Sequence, residues 1–203
     1  MLTLAQAVGS DKRHAIPAAC ITGNLSDVVH SNTSWADREI GGFWARATMK
    51  SRVFVGSSSE SLDVAYAVQQ NLEADVDVTV WTQGVFALSQ TTMDGLIRQG
   101  SEVDFAVFVL SPDDVTKLRG REHPTARDNV IFEIGIFVGR LGMSRTFLLV
   151  AEGSEPLHLP SDLLGITCGK YNATRQDGNT NAAVGSGCTQ IRQAIKQLGS
   201  RLN

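Results

Sequence analysis

Asn129 and Glu133 stand four residues apart in the run Asp128-Asn129-Val130-Ile131-Phe132-Glu133-Ile134-Gly135. In a helix that spacing makes them neighbours on one face. Val130, Ile131, Phe132, Ile134, Ile136, Phe137, Val138 and Leu141 would cover almost all of the remaining circumference, predicting a mostly buried helix with a narrow polar stripe that Arg140 continues. A carboxylate in that setting has two readings of equal weight. It pairs with an arginine or caps a loop, as buried acids commonly do, or it serves a ligand. The triplet Ser57-Ser58-Ser59 likewise reads both as an ordinary helix cap and as a place where phosphate or ribose meets backbone donors.

The elements that must position these residues alternate short apolar strands with helical stretches from Arg52 onward, the pattern of a parallel sheet covered by helices. Residues 52–56 read as a buried strand, followed by a helix with Leu62, Ala65, Val68 and Leu72 on one side, opened by Ser57 and Glu60 in capping-box spacing. Residues 76–81 alternate like an edge strand, and a connection over residues 82–90 leads to a helix near 91–99. Residues 105–110 are apolar throughout, as a central parallel strand buried on both faces requires. A charged loop through His123 then reaches the Glu133 helix, whose expected caps are Thr125 with Asp128 at the start and Gly142 at the end. In open parallel sheets ligands bind beyond the carboxyl ends of the strands, so the first turns of this helix should border the crevice. Gly135, Gly139 and Gly142 read as sites of close helix packing. Strands at 146–150 and near 166–168, an exposed loop over 172–187 and a last helix with Ile191, Ala194, Ile195 and Leu198 complete the domain.

Residues 1–50 follow a different pattern and read as a short, mostly helical extension, with Ala36, Ile40, Phe43, Trp44 and Ala47 on one helical face interrupted by Gly41-Gly42. The division is therefore an extension over 1–50 and an α/β domain over 51–203. The 203 residues carry a net charge of −3, which argues against a nucleic-acid partner. Cys20, Cys168 and Cys188 are scattered, and so are the four histidines, so no metal site is expected. No P-loop or dinucleotide glycine motif occurs. Neither a signal peptide nor a membrane span is expected, which places the protein in the cytoplasm.

The strand, serine-rich turn and helix of residues 53–72, the run Val103-Asp104-Phe105-Ala106-Val107-Phe108-Val109-Leu110-Ser111-Pro112-Asp113-Asp114, and Ala126-Arg127 leading into the Glu133 run resemble the bacterial TIR-like family. These are TIR domains found as effectors of cyclic-nucleotide-activated antiphage systems. The resemblance covers about residues 51–198. It implies a flavodoxin-like open parallel sheet of about five strands with helices on both faces, and an enzyme that cleaves the nicotinamide N-glycosidic bond of NAD or NADP. NAD is then substrate, and no separate cofactor is implied. The resemblance also implies a homo-oligomer on activation and a cyclic-nucleotide sensor region or partner. Glu133 falls on the family's catalytic glutamate, and Gly56, Ser57 and Ser58 fall on the first loop, which is similar to the one that meets the nucleotide. Asn129 joins them as a substrate-binding candidate. Residues 82–90 take the place of the mobile loop beside the site, where Trp81 and Phe86 are the aromatics available to stack on nicotinamide.

Glycoside hydrolysis usually employs two carboxyl groups, because the leaving oxygen must be protonated while the sugar cation is stabilised. Nicotinamide leaves as a neutral base from a pyridinium that is already positive, so one carboxylate suffices. Two other readings stay open. A nucleoside deoxyribosyltransferase-like enzyme would need a further acid, for which Asp104, Asp113 or Asp114 are available. A non-enzymatic TIR scaffold would act by self-association.

Overall fold

The computed structural model describes residues 50–85, 91–153, 156–163, 165–166 and 168–202. The expected helix within the extension, and Phe86, lie outside the described residues. Five strands form one parallel sheet: β1 (Arg52–Gly56), β2 (Asp77–Val80), β3 (Phe105–Leu110), β6 (Thr146–Glu152) and β7 (Cys168–Asn172). Their order across the sheet is β2-β1-β3-β6-β7, which makes the alternating β2 an edge strand and the wholly buried β3 the centre, as the sequence pattern predicts. This is the flavodoxin-like strand order, with its topological switch between β1 and β3.

Period-two alternation explains how the helices distribute. Val53 and Val55 of β1, with Val107 and Val109 of β3, pack beneath α1 (Leu62–Leu72) and the last helix, α4 (Thr180–Leu198). Phe54, Ala106, Phe108 and Leu110 face the opposite way, toward α2 (Thr92–Glu102) and α3 (Asp128–Leu141). Phe137 fixes α3 to the sheet: its ring stacks on Phe54 at 4.6 Å and meets Phe108 edge-on at 5.3 Å. Gly56 makes room for that cluster, because a Cβ there would come within 2.5 Å of the Phe108 ring.

Several local expectations are corrected. The charged segment after β3 is not a loop but an antiparallel hairpin, β4 (Asp114–Leu118) and β5 (Arg121–Thr125). It turns at Arg119 and Gly120, both with positive φ, as a two-residue hairpin loop requires. Thr125 consequently belongs to β5, and α3 begins after Arg127 without a side-chain cap. Ser57 and Glu60 do not cap α1 either, since its N-cap is Ser61, also without a side-chain bond. The expected loop over 172–187 ends early, because α4 starts at Thr180 with Asn179 accepting from the Ala182 N–H. The fifth strand sits later than expected, at Cys168–Asn172.

The small residues that suggested a loop are instead a packing device. A Cβ on Gly187 would collide with Leu149 Cδ1 and come 3.2 Å from the Lys170 carbonyl oxygen, while one on Gly169 would come 3.2 Å from the Gly187 Cα. Helix α4 therefore approaches β6 and β7 more closely than any side chain permits. Gly187→Ala is expected to destabilise the domain by about 1–3 kcal/mol through overpacking, lowering its melting temperature in a calorimetric or circular-dichroism scan by several degrees. The opposite holds for Gly135, Gly139 and Gly142, where a Cβ would meet nothing within 4 Å. The expectation that they bring α3 close to a neighbour fails: Gly135 and Gly139 are exposed, and Gly142 is the C-cap at φ +83°.

At the opposite end of the sheet Asp104 is buried just ahead of β3. Its Oδ2 accepts the Arg52 N–H at 2.8 Å, and its Oδ1 accepts the Ser200 hydroxyl at 2.7 Å and the Arg201 and Leu202 N–H groups at 2.6 and 3.0 Å. Cys188 is buried and Cys168 exposed, both as free thiols.

Candidate active site

The C-terminal ends of β1 and β2 and the first turns of α3 enclose a cleft of about 620 Å³. Ser57, Ser58, Ser59, Glu60, Trp81, Thr92, Arg127, Asn129, Val130 and Glu133 line it. The structure thus brings together five of the seven residues chosen from sequence: Ser57, Ser58, Trp81, Asn129 and Glu133. Gly56 ends β1 beneath the cleft without lining it, and its small size serves the Phe108 contact.

Helical spacing sets Glu133 between Asn129, one turn before it, and the Phe137 anchor, one turn after it. Its helix is less buried than the apolar count suggested, since only Val130, Ile134, Phe137 and Leu141 are fully covered and Phe132 is 55% exposed. Glu133 itself is half-buried. Burial alone pushes its carboxyl up to about 7, with no hydrogen bond or cation among the described residues to pull it back. Neither structural reading of Glu133, as an arginine partner or a loop cap, is realised there. A desolvated acid in a cleft without a partner is a mark of functional sites.

The first loop is tied down on two sides. The Trp81 indole N–H donates to Ser57 Oγ at 3.1 Å, so Trp81 is anchored on the cleft wall, and the Ser57 hydroxyl donates to the Ser58 carbonyl at 2.9 Å. Behind the loop, three hydroxyls form a chain: Ser61 to Ser111 at 2.6 Å and Ser111 to Tyr171 at 2.7 Å. That chain joins the N-cap of α1, the tip of β3 and the tip region of β7. Ser58 Oγ, in contrast, is buried and has no hydrogen-bond partner among the described residues, an arrangement that costs about 1–3 kcal/mol and that a bound polar group would relieve.

Two charged cleft residues, Arg127 and Glu60, are not among the site residues expected from sequence. The Arg127 guanidinium donates to Glu60 and lies 3.4 Å from the Asp114 carboxylate in β4. Hydrogen bonds from its own backbone and from the Ser59 hydroxyl, with Arg127 nearby, hold Glu60 below the usual carboxylate range. The second carboxylate of the cleft therefore stays ionised and cannot act as a general acid near neutrality. None of the three aspartates proposed as an acid lines the cleft: Asp104 lies at the far end of the sheet, Asp113 follows the tip of β3, and Asp114 pairs with Arg127.

An open parallel sheet in this order, with a carboxylate that has no partner among the described residues in a cleft at the C-terminal strand ends, defines an α/β domain of the TIR-like, flavodoxin-like kind. Within that class the chain belongs to the family described as CAP12/Pycsar effector protein, TIR domain, which its residues 52–173 match. It is 44% identical over 156 residues to the Pycsar effector protein PaPycTIR of Pseudomonas aeruginosa, covering 76% of this chain and 50% of that protein. It is 33% identical over 150 residues to CD-NTase-associated protein 12 of Lachnospiraceae bacterium (strain RUG226), covering 74% of this chain and 46% of that protein. Among solved structures, the TIR domain of the Toll-related receptor TRR-2 of Hydra magnipapillata aligns at 15% identity with a TM-score of 0.42, over 70% of this chain and 96% of that one. The chain spans about half the length of the curated relatives it matches. No helix among the described residues is long and apolar enough to cross a membrane.

Proposed function

We propose that the domain cleaves the nicotinamide N-glycosidic bond of NAD or NADP, releasing nicotinamide and ADP-ribose or its cyclised form. In this reading it is an effector of antiphage defence, activated by assembly in response to a cyclic nucleotide. The observation that carries the proposal is Glu133, a desolvated carboxylate free of partners among the described residues, at the mouth of a nucleotide-sized cleft. Membership of the effector family supports it.

In the proposed step the C1′–N bond of the nicotinamide ribose breaks with its electron pair going to nicotinamide, which departs neutral. Positive charge moves onto the ribose ring, and Glu133 in its anionic form stabilises it. Water, or the adenine ring in the cyclising variant, bonds to C1′ and loses the proton that balances the reaction. Asn129 is the natural partner for a ribose hydroxyl, one turn from Glu133. Trp81 is the aromatic wall against which nicotinamide would stack.

This chemistry needs Glu133 ionised, whereas its burial favours the proton up to about pH 7. The value of kcat/KM is therefore expected to rise about tenfold for each pH unit below 7 and to level off above it. Rates of nicotinamide release between pH 5.5 and 8.5 test this, and a profile falling with pH would contradict the role. The functional proposal itself is tested by incubating the purified protein with NAD, with and without cyclic nucleotides, under conditions that favour assembly. Release of nicotinamide is the expected result. Base exchange between nucleosides without NAD cleavage would favour the deoxyribosyltransferase reading instead.

A further inference from the structure

The cleft holds a second arrangement that the Glu133 chemistry does not use. Arg127 is the N-cap residue of α3, and Glu60 lies just ahead of α1; the ion pair between them links the starts of the two helices. Neither helix has a side-chain cap, whereas Thr91 caps α2 and Asn179 caps α4. Uncapped helix starts leave N–H groups and partial positive charge suited to an anion. Ser58 lies in the same loop as Glu60, 5% exposed, and its hydroxyl finds no partner among the described residues. A guanidinium, an orphaned hydroxyl and two uncapped helix starts line one cleft. The cleft carboxylate paired with Arg127 is that of Glu60; Asp114 also lies 3.4 Å from Arg127, and Asp128 Oδ1 accepts the Asn129 N–H at the start of α3.

We propose that Glu60 is an internal stand-in for a substrate phosphate: together with Asp114 it holds Arg127, and the diphosphate of a dinucleotide displaces Glu60 to take Arg127 and Ser58. This deepens the functional reading above and rests on it for the identity of the dinucleotide. A diphosphate presents more negative charge and more acceptor oxygens than one carboxylate, and the planar guanidinium fork binds phosphate in a bidentate fashion. Glu60 and Arg127 are both partly exposed, so the exchange requires a side-chain rotation and no rearrangement of the core. Glu60 then tunes affinity, since every dinucleotide must compete with it. A substrate lacking phosphate would be indifferent to the pair.

The test compares NAD with nicotinamide riboside, which carries the same scissile bond and no phosphate. Under assembly-promoting conditions Arg127→Gln is expected to raise KM for NAD by about tenfold and Glu60→Gln to lower it about threefold, with kcat little changed. Values for nicotinamide riboside should stay within about twofold for both variants. An unchanged KM for NAD in Arg127→Gln, or equal shifts for both substrates, would overturn the proposal and leave the pair as a strap between two helices. Binding of inorganic pyrophosphate, followed by calorimetry, decides the matter independently of turnover. Pyrophosphate bound by the wild-type chain, more tightly by Glu60→Gln and more weakly by Arg127→Gln, upholds the phosphate site even if NAD is never cleaved. Absence of pyrophosphate binding in a protein that also fails to cleave NAD overturns it.

Discussion

Nicotinamide release by the Glu133→Gln variant is expected to fall by about 10²-fold or more, the usual loss when a group aimed at developing charge is removed. Glutamine preserves the shape of the side chain and its place between Asn129 and Phe137, so the loss isolates charge. Binding should survive, which makes kcat the affected constant. The same variant should also be the more stable protein. The folded-state value for Glu133 lies near 7, above its ordinary 4.5. The folded chain therefore binds an extra proton between those values, and stability drains away as pH rises through that window. At pH 8 the wild type bears an ionised carboxylate without a partner among the described residues, and Glu133→Gln removes it, a gain of about 1–2 kcal/mol once residual solvent exposure is allowed for. At pH 4.5 the difference should largely vanish. Thermal melts at the two pH values, set beside the nicotinamide assay, would show a dead enzyme that melts higher only at the alkaline pH. A variant as active as wild type would remove Glu133 from the chemistry.

Asp104→Ala is expected to be the most damaging change outside the cleft, costing about 3–5 kcal/mol because it takes the charged acceptor from four part-buried donors. Four hydrogen bonds converge on this carboxylate, and three of them come from backbone N–H groups of residues 52, 201 and 202. Burial alone would raise the Asp104 pKa, but the Ser200 hydroxyl and those N–H groups outweigh it and hold the carboxyl below its ordinary value. Its contribution is accordingly present above the unfolded value of 3.8 and lost as pH falls through the lower folded one. Melting temperatures should show a drop on the order of 10 °C at pH 7, shrinking below pH 4. Asp104→Asn should be intermediate, since its amide can keep one oxygen for residues 200–202 but must turn an N–H₂ group toward the Arg52 N–H.

The legible parts of this protein were those in which hydrophobic burial dictates residue type. Strands β1, β3 and β6 are apolar because both their faces are covered, and Glu133 stood out because its helix is otherwise nearly devoid of polar groups. The β4–β5 hairpin escaped because neither face is well buried and no alternation results. Its polar sequence even contains Pro124, and only Arg119-Gly120 hinted at the turn. The start of α4 escaped for the opposite reason: the glycines that permit its contact with β7 are, taken singly, loop residues. Within the cleft, Glu60 was read as half of a capping box because short-range spacing carries no information about a partner 67 positions away. Arg127 sat inside the recognised run, yet only the folded loops reveal which carboxylates it meets.

The hydroxyl chain behind the first loop turns three separate elements into one unit. Each of Ser61, Ser111 and Tyr171 owns a single proton. Ser61 donates to Ser111, whose oxygen has two lone pairs, so between Ser111 and Tyr171 either hydroxyl can be the donor. The three groups thus form one continuous circuit centred on Ser111. Losing the phenol or losing Ser61 would each take one of the two partners from the buried Ser111 hydroxyl. The floor of the cleft is therefore tied to β7, the strand farthest along the chain from the serine loop that the circuit steadies.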